Sequence, residues 1–392
     1  MLTFNTTFAN PIIPVPTRPQ IIVTPQAPTL DAKSYILVDA NTGKILVEKD
    51  ADQRVAPASL TKLMSMYIIS AALKNGTIHL DDKVRVSEKA WRTGGSRMFI
   101  KVNTEVPVKD LIKGIVIASG NDATVAMAEY VAGSEDAFAS MMNNTAKDLG
   151  MANSHFMDSN GLPSADHYST AHDLAILARA IINNYPEDYK LYSEKYVVYN
   201  NIRQPNRNRL LWLFPTADGL KTGHTDDAGY CLVSSASKDG TRLIGVILGE
   251  RSDKARTEDS IRLLTYGFRF FETHKYGDAN KKMMAMRVWK GQETETALGV
   301  KSDFYATIPA GQFKNVQVSL VEDKPPHNAP ITKGESYGTL KLTLNGQVLA
   351  TEPLVALEDN KKGGMFRSMT DSFSYYFHKW FSKPVSEPVN NA

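Results

Sequence analysis

Asp218-Gly-Leu-Lys-Thr-Gly-His-Thr225 leads into the strand-like part of this 392-residue chain. Its centre, Lys221-Thr-Gly223, is a tripeptide expected by chance only about 0.1 times in a chain of this size at average usage. The three residues supply a cation, a hydroxyl and room for close approach of a substrate backbone. They read as the start of a strand, along which an extended peptide can pair.

Two shorter motifs precede it. Ser59-Leu-Thr-Lys62 begins a run from Ala58 to Lys74 with Leu60, Leu63, Met64, Tyr67 and Ile68 on one stripe, which predicts a helix. Pro57 sits where a first-turn proline is tolerated. Three apart on a helix, Ser59 and Lys62 share a face. A serine hydroxyl needs a base within hydrogen-bond reach, and lysine becomes one when burial and cationic neighbours lower its pKa. Ser119-Gly-Asn121 falls in a break between two helical runs, Val108 to Ala118 and Asp122 to Val131. A hydroxyl there can pass a proton to a leaving amine, and the Asn121 amide can hold a peptide. The competing reading is helix capping by Ser119 or Asn121. Ser235-Ala-Ser-Lys238 repeats the first motif at the end of a strand-like run, where residues three apart point to opposite faces, so it cannot form the pair. Arg207, in Asn206-Arg-Asn208, is a candidate for gripping a carboxylate with two parallel bonds, against the plainer reading of a surface arginine.

The remaining sequence frames these motifs. Ser34 to Asp39 and Lys44 to Glu48 read as a hairpin around Asn41-Thr-Gly43. Thr170 with Asp173 opens a helix as a capping pair. Tyr230 to Ser235 and Leu243 to Leu248 flank Asp239-Gly240, a hairpin signal, and Ile261 to Phe271 is apolar at helical spacing. Near residue 280 the pattern becomes all-β. Val316, Val318 and Leu320 alternate, as do Leu340, Leu342 and Leu344 before Asn345-Gly346. Beyond Lys361-Lys362-Gly363-Gly364, Phe366, Met369, Phe373, Phe377 and Trp380 recur at steps of three and four. That terminal aromatic helix reads as a membrane-surface anchor in preference to a core helix.

Other classes recede. The net charge of +3 is too small to argue for nucleic acid, and no run of about 18 apolar residues predicts a membrane span. The eight histidines show no metal-binding spacing, so no metal or other cofactor is expected. Cys231, the single cysteine, cannot form an internal disulfide and reads as a buried bystander. Six prolines between residues 10 and 30 suit an extended tail. Thr7-Phe8-Ala9 fits the end of a signal peptide whose front is missing, and equally a disordered start.

From about residue 20 to residue 383 the chain resembles the low-molecular-mass penicillin-binding proteins, specifically the type-5/type-6 D-alanyl-D-alanine carboxypeptidases. Pro57-Ala-Ser-Leu-Thr-Lys62, Ser119-Gly-Asn-Asp-Ala123, Asn206-Arg-Asn208, Asp218 to Thr225 and Gly267-Phe-Arg-Phe-Phe-Glu272 carry the likeness, together with the β segment and the aromatic tail. The resemblance implies an α+β serine-acylation fold, β-lactamase/transpeptidase-like, with an antiparallel sheet and a helical insertion. It divides the chain into a tail (1–30), a catalytic domain (31–280), a β-sandwich-like domain (281–360) and an amphipathic anchor helix (364–383). It implies a periplasmic enzyme, peripheral on the outer face of the cytoplasmic membrane, that removes the terminal D-alanine from peptidoglycan pentapeptides and is acylated by β-lactams. Ser59 would be the nucleophile and Lys62 its base, for acylation and for the deacylating water. Ser119 would relay the proton to the leaving D-alanine, tuned by Lys221, and Asn121 would hold the peptide. Thr222 and Arg207 would bind the terminal carboxylate beside Gly223, and the N–H groups of Ser59 and His224 would form the oxyanion hole. The loop Lys89 to Met98, at the border of the site, is shorter than its counterpart in enterobacterial members. A class A β-lactamase is disfavoured by Ser119-Gly-Asn121 and by the lack of a Glu-x-x-Leu-Asn motif, a D,D-endopeptidase by the β segment and tail. A non-catalytic penicillin sensor is disfavoured by intact Lys62 and Ser119.

Overall fold

A computed structural model describes residues 25–364. The anchor helix expected over 364–383 falls, from Met365 onward, outside the described residues, as does the Pro-rich tail up to residue 24. The last residues of that expected tail do pack. Leu30 is buried, and the Pro25 carbonyl accepts a 2.8 Å hydrogen bond from the Tyr266 hydroxyl.

The centre is a five-stranded antiparallel sheet of β1 (Ser34–Asp39), β2 (Ile45–Lys49), β3 (Ala217–Thr225), β4 (Gly229–Lys238) and β5 (Thr241–Glu250), in the order β2-β1-β5-β4-β3. Alternation splits its side chains between two cores. Tyr35, Leu37, Leu232, Leu243 and Ile247 pack with Leu263 and Leu264 of α6 (Asp253–Phe270). Ile36, Val38, Val233 and Ile244 face the helical side, α1 (Lys62–Lys74) and α5 (Ala171–Asn184). The β4–β5 turn is Asp239-Gly240, both at positive φ (49° and 81°), as a tight two-residue hairpin requires.

The main helices between β2 and β3 form the insertion: α1, α2 (Val108–Lys113), α3 (Asn121–Ala132), α4 (Glu135–Asp148) and α5, with short helices at Glu88–Arg92, Pro186–Tyr189 and Leu210–Leu213. The Thr170 side chain caps α5 by accepting from the Asp173 N–H at 3.0 Å. Beyond α6 the described residues form strands, with one short 3-10 turn at Phe313–Asn315. β6 (Phe271–Gly277) pairs with β9 (Phe304–Pro309). β7 (Met284–Trp289), β8 (Glu295–Gly299), β10 (Val316–Glu322), β11 (His327–Asn328), β12 (Ser336–Leu344) and β13 (Gln347–Ala356) form a sheet in the order β10-β12-β13-β8-β7-β11. Leu340, Leu342 and Leu344 point into its core as expected. Val318 does not: it is half exposed on β10, the outer strand, between Val316 and Leu320, which are partly buried against the core.

Hydrogen bonds join the two halves. The buried Asp39 carboxylate accepts from Thr42 N–H (2.8 Å) and from the Thr273 hydroxyl (2.5 Å), and the Lys44 ammonium donates to the Thr307 carbonyl (3.0 Å).

Candidate active site

Ser59 stands on a 3-10 turn, Ala58–Thr61, that runs into α1. Ala58 holds φ at 48°, a left-handed conformation uncommon for a residue with a Cβ, and such strain concentrates at functional sites. One turn on, the Lys62 amine donates to Ser59 Oγ at 2.9 Å and to the Asn160 carbonyl at 2.7 Å. Lys62 is fully buried, and burial lowers its pKa to about 7. Asp158 and Asp122 oppose that shift and Arg207 adds to it. At neutral pH much of this amine is therefore free to accept a proton.

Ser119 ends a wide π-type turn, Gly114–Ala118, that follows α2. Its left-handed backbone (φ 60°, ψ 35°) breaks the chain before α3, and its side chain does not cap that helix; neither does Asn121. Instead the Asn121 amide donates to the Gly94 carbonyl at 2.7 Å, and its buried Oδ1 lacks a partner among the described residues. The neighbouring Asp122 carboxylate accepts the N–H groups of Met98, Phe99 and Ile100, fixing the end of the 89–98 segment.

The expected start of the third motif's strand needs correction. β3 begins at Ala217, across a bulge between Ala217 and Gly219, so Lys221-Thr-Gly223 lies in its second half. The Lys221 amine donates to Ser119 Oγ at 2.9 Å and to the Thr222 carbonyl at 3.0 Å. Burial, then the charges of Lys62, Arg207 and Arg256, hold its pKa well below the ordinary lysine value. A Cβ on Gly223 would stand 2.9 Å from the Pro57 carbonyl oxygen, so only glycine lets β3 close on the Ser59 turn. β3 is also the outer strand of its sheet.

The three motifs meet at one cavity of about 430 Å³. Ser59, Ser119, Arg207, Thr222, Gly223 and His224 line it, with the two lysines buried behind their serines. His224 is exposed, with its ring 4.0 Å from that of Tyr230. Arg207 is braced by its neighbours: its Nε donates to the Ala118 carbonyl at 3.3 Å, and Asn208 Nδ2 donates to the Gly219 carbonyl at 2.9 Å. The decoy is far from such a pair. Ser235 is buried and accepts from Arg242, whereas Lys238 is exposed at the strand end. Cys231 is buried, and burial pushes its thiol up to about 11.

Comparison with known proteins agrees with this geometry. Residues 21–252 match the family model described as D-alanyl-D-alanine carboxypeptidase, and residues 271–362 match that of the penicillin-binding protein 5 C-terminal domain. The chain belongs to the D-alanyl-D-alanine carboxypeptidase family. D-alanyl-D-alanine carboxypeptidase DacC of Escherichia coli is 44% identical over 365 residues, 91% of each chain. The crystal structure of penicillin-binding protein 5 from Haemophilus influenzae superposes with a TM-score of 0.83 at 41% identity, covering 87% of this chain and all of that one. Penicillin-binding protein D2 of Listeria monocytogenes, solved in its ampicillin-bound form, matches with a TM-score of 0.57 at 30% identity over 61% of this chain and 98% of that one.

The carboxypeptidase site also contains residues that the motifs do not mark. Ser96, Arg209, Tyr230, Asp253 and Arg256, with Asn206 of the Asn206-Arg-Asn208 motif, complete the lining. Arg256 is buried on α6, paired with Asp253, and donates to the Gly223 and Cys231 carbonyls at 3.2 Å. Its Nε has no partner among the described residues. Among those residues no cluster of three His, Cys, Asp or Glu side chains is placed to hold a metal, and no helix is long and apolar enough to cross a membrane.

Proposed function

We propose that this chain is a serine D,D-carboxypeptidase that removes the terminal D-alanine of peptidoglycan pentapeptides through an acyl-enzyme on Ser59. The observation that carries the reading is the pair of lysine–serine contacts at one cavity, Lys62 on Ser59 and Lys221 on Ser119, each at 2.9 Å. Neutral Lys62 takes the Ser59 proton as Oγ attacks the carbonyl carbon of the penultimate D-alanine. The backbone N–H groups of Ser59 and His224 hold the resulting oxyanion. As the C–N bond breaks, Ser119 gives its proton to the departing amine and receives in its place the proton that Lys62 took from Ser59, so Lys62 is neutral again, and Lys221 tunes that transfer. Thr222 and Arg207 hold the carboxylate of the leaving residue, with Gly223 leaving room, and Asn121 holds the peptide upstream. Water then attacks the ester, Lys62 takes its proton, and Ser59 is restored.

β-Lactams enter by the same first step, which the ampicillin-bound Listeria relative supports. Chemistry belongs to residues 31–280, and residues 281–360 form a separate β domain. The aromatic spacing of residues 364–383 supports a segment that lies on the outer face of the cytoplasmic membrane. Substituting Ser59→Ala abolishes both D-alanine release and labelling by fluorescent penicillin; retained labelling refutes the nucleophile. Continued release of D-alanine beyond one equivalent separates the enzyme from a stoichiometrically acylated sensor. Deleting residues 365–392 frees the protein from membranes with its soluble activity intact, and unchanged partition refutes the anchor.

A further inference from the structure

The carbonyl that accepts from the Lys62 amine belongs to a buried loop, Asp158-Ser-Asn-Gly161, and that loop is aimed by a residue far from the motifs. Glu135 opens α4, behind the Ser134 cap, and is only 8% exposed. Its Oε1 accepts from Ser159 Oγ (2.7 Å), Ser159 N–H (3.3 Å) and Asn160 Nδ2 (3.4 Å). Its Oε2 pairs with the Lys89 ammonium at 2.9 Å. Lys89 lies not in a loop, as the sequence suggested, but in a short helix, Glu88–Arg92, that leads into the 93–98 segment, whose Ser96 lines the cavity and whose Gly94 carbonyl takes the Asn121 amide.

The loop is pinned on its other sides as well. The Ser159 carbonyl accepts from Ser65 Oγ at 2.5 Å, and Asp158 takes the N–H groups of Asn160 (2.8 Å) and Gly161 (2.6 Å). Gly161 is at φ 88°, and a Cβ there would collide with the Ala58 carbonyl, so the loop lies directly against the Ser59 turn. Ser159 and Asn160 are buried, and removing the carboxylate would leave their donors unsatisfied, which costs more than the bonds themselves contribute.

We propose that Glu135 is a positioning residue for the Lys62 base, locking the Asn160 carbonyl against the lysine amine and tying it to the short helix that leads into the 93–98 segment. The proposal rests on the reading of Lys62 as the base. Glu135 is not among the charges that act on Lys62; those are Asp158 from the loop, Asp122 from α3 and Arg207, with the Lys221 amine facing it from β3. Its influence therefore runs through geometry and the exclusion of water. Burial would raise the Glu135 carboxyl, but the Lys89 and Ser159 bonds together outweigh it and hold the group below its ordinary value, so it stays a charged acceptor.

The test uses the full chain, with D-alanine release from a synthetic pentapeptide and the rate of acylation by fluorescent penicillin. Glu135→Ala lowers kcat per labelled site by about 10- to 100-fold, in keeping with a sub-ångström to ångström misplacement, and leaves KM within about twofold. Because burial is the main cause of the low Lys62 pKa, water entering behind the loop moves the acid limb of the pH–rate profile upward. Glu135→Gln, which still accepts from Ser159, recovers kcat to within about threefold, and the exposed neighbour Asp136→Asn has no effect. A Glu135→Ala protein with wild-type kcat per labelled site and an unmoved acid limb overturns the proposal, whatever its melting temperature. If that variant does not accumulate in folded form, Ser159→Ala removes the shortest donor and is held to the same criteria. Failure of the underlying reading looks different: the wild-type acid limb then survives Lys62→Met. In that case the acylation rate alone still decides whether Glu135 acts on the nucleophile turn.

Discussion

Up to the end of α6 the molecule buries Asp39, Lys62, Asp122, Glu135, Asp173, Lys221, Glu250, Arg256 and Asp259; from β6 onward the buried polar residues, among those described, are Thr273, Thr296, Thr307, Gln312 and Asn360, none of them charged. Both regions build apolar cores by the same alternation of strand residues. Burying charge is costly unless it is paired and hydrogen-bonded. The β domain avoids that cost. The catalytic half accepts it at several places, and at the cavity it has a use: a dry lysine there is a usable base and a hydrated one is not.

The sharpest way to break this contrast is to remove the charge. Lys62→Met keeps the volume and lowers kcat/KM for the pentapeptide by about 10²- to 10⁴-fold, while raising Tm by roughly 2–4 °C. The sign follows from proton binding: the folded chain holds the Lys62 proton only below about 7, whereas the unfolded chain holds it up to the ordinary 10.5. The folding cost of the buried ammonium is thus full below pH 7 and gone above 10.5, so the stability gain is greatest in acid. A drop in Tm refutes the idea that this charge opposes folding. In the wild type, kcat/KM falls as pH drops through about 7, where Lys62 becomes protonated, and a flat profile refutes that base.

On the other side of the comparison, Leu342→Ala opens a cavity in the β domain and costs about 2–5 kcal/mol. Its rate of acylation by penicillin stays within about twofold of wild type, because Leu342 packs in a core separate from those of the catalytic sheet. A larger loss of activity makes the two halves one energetic unit. The smallest effect is expected at Val318, half exposed on β10. Val318→Thr changes stability by no more than about 0.5 kcal/mol; a larger change in calorimetry means that this edge is covered in solution.

Local chemistry was readable where it repeats within a few residues. The Ser59–Lys62 spacing, the break at Ser119 and the Asp239-Gly240 turn each follow from backbone geometry that a short window contains. Arg256, Asn160 and Glu135 had no such signature. They reach the site from α6, a buried loop and the start of α4, and only the packing of those elements brings them there. Alternation misled at Val318 for a related reason: period two gives the face of a strand, not its place in the sheet, and β10 lies at the edge.

The outer position of β3 also has a kinetic face. A stem peptide bound along Lys221-Thr-Gly223, as proposed, would become for one turnover a sixth strand, and its residence there would be governed by ladder bonds that form and break as a sheet grows and frays. A pentapeptide carrying N-methyl groups at the paired positions keeps its terminal carboxylate and loses those donors. Such a ligand would still find the cavity and would leave it sooner, turning a question of affinity into one of dwell time.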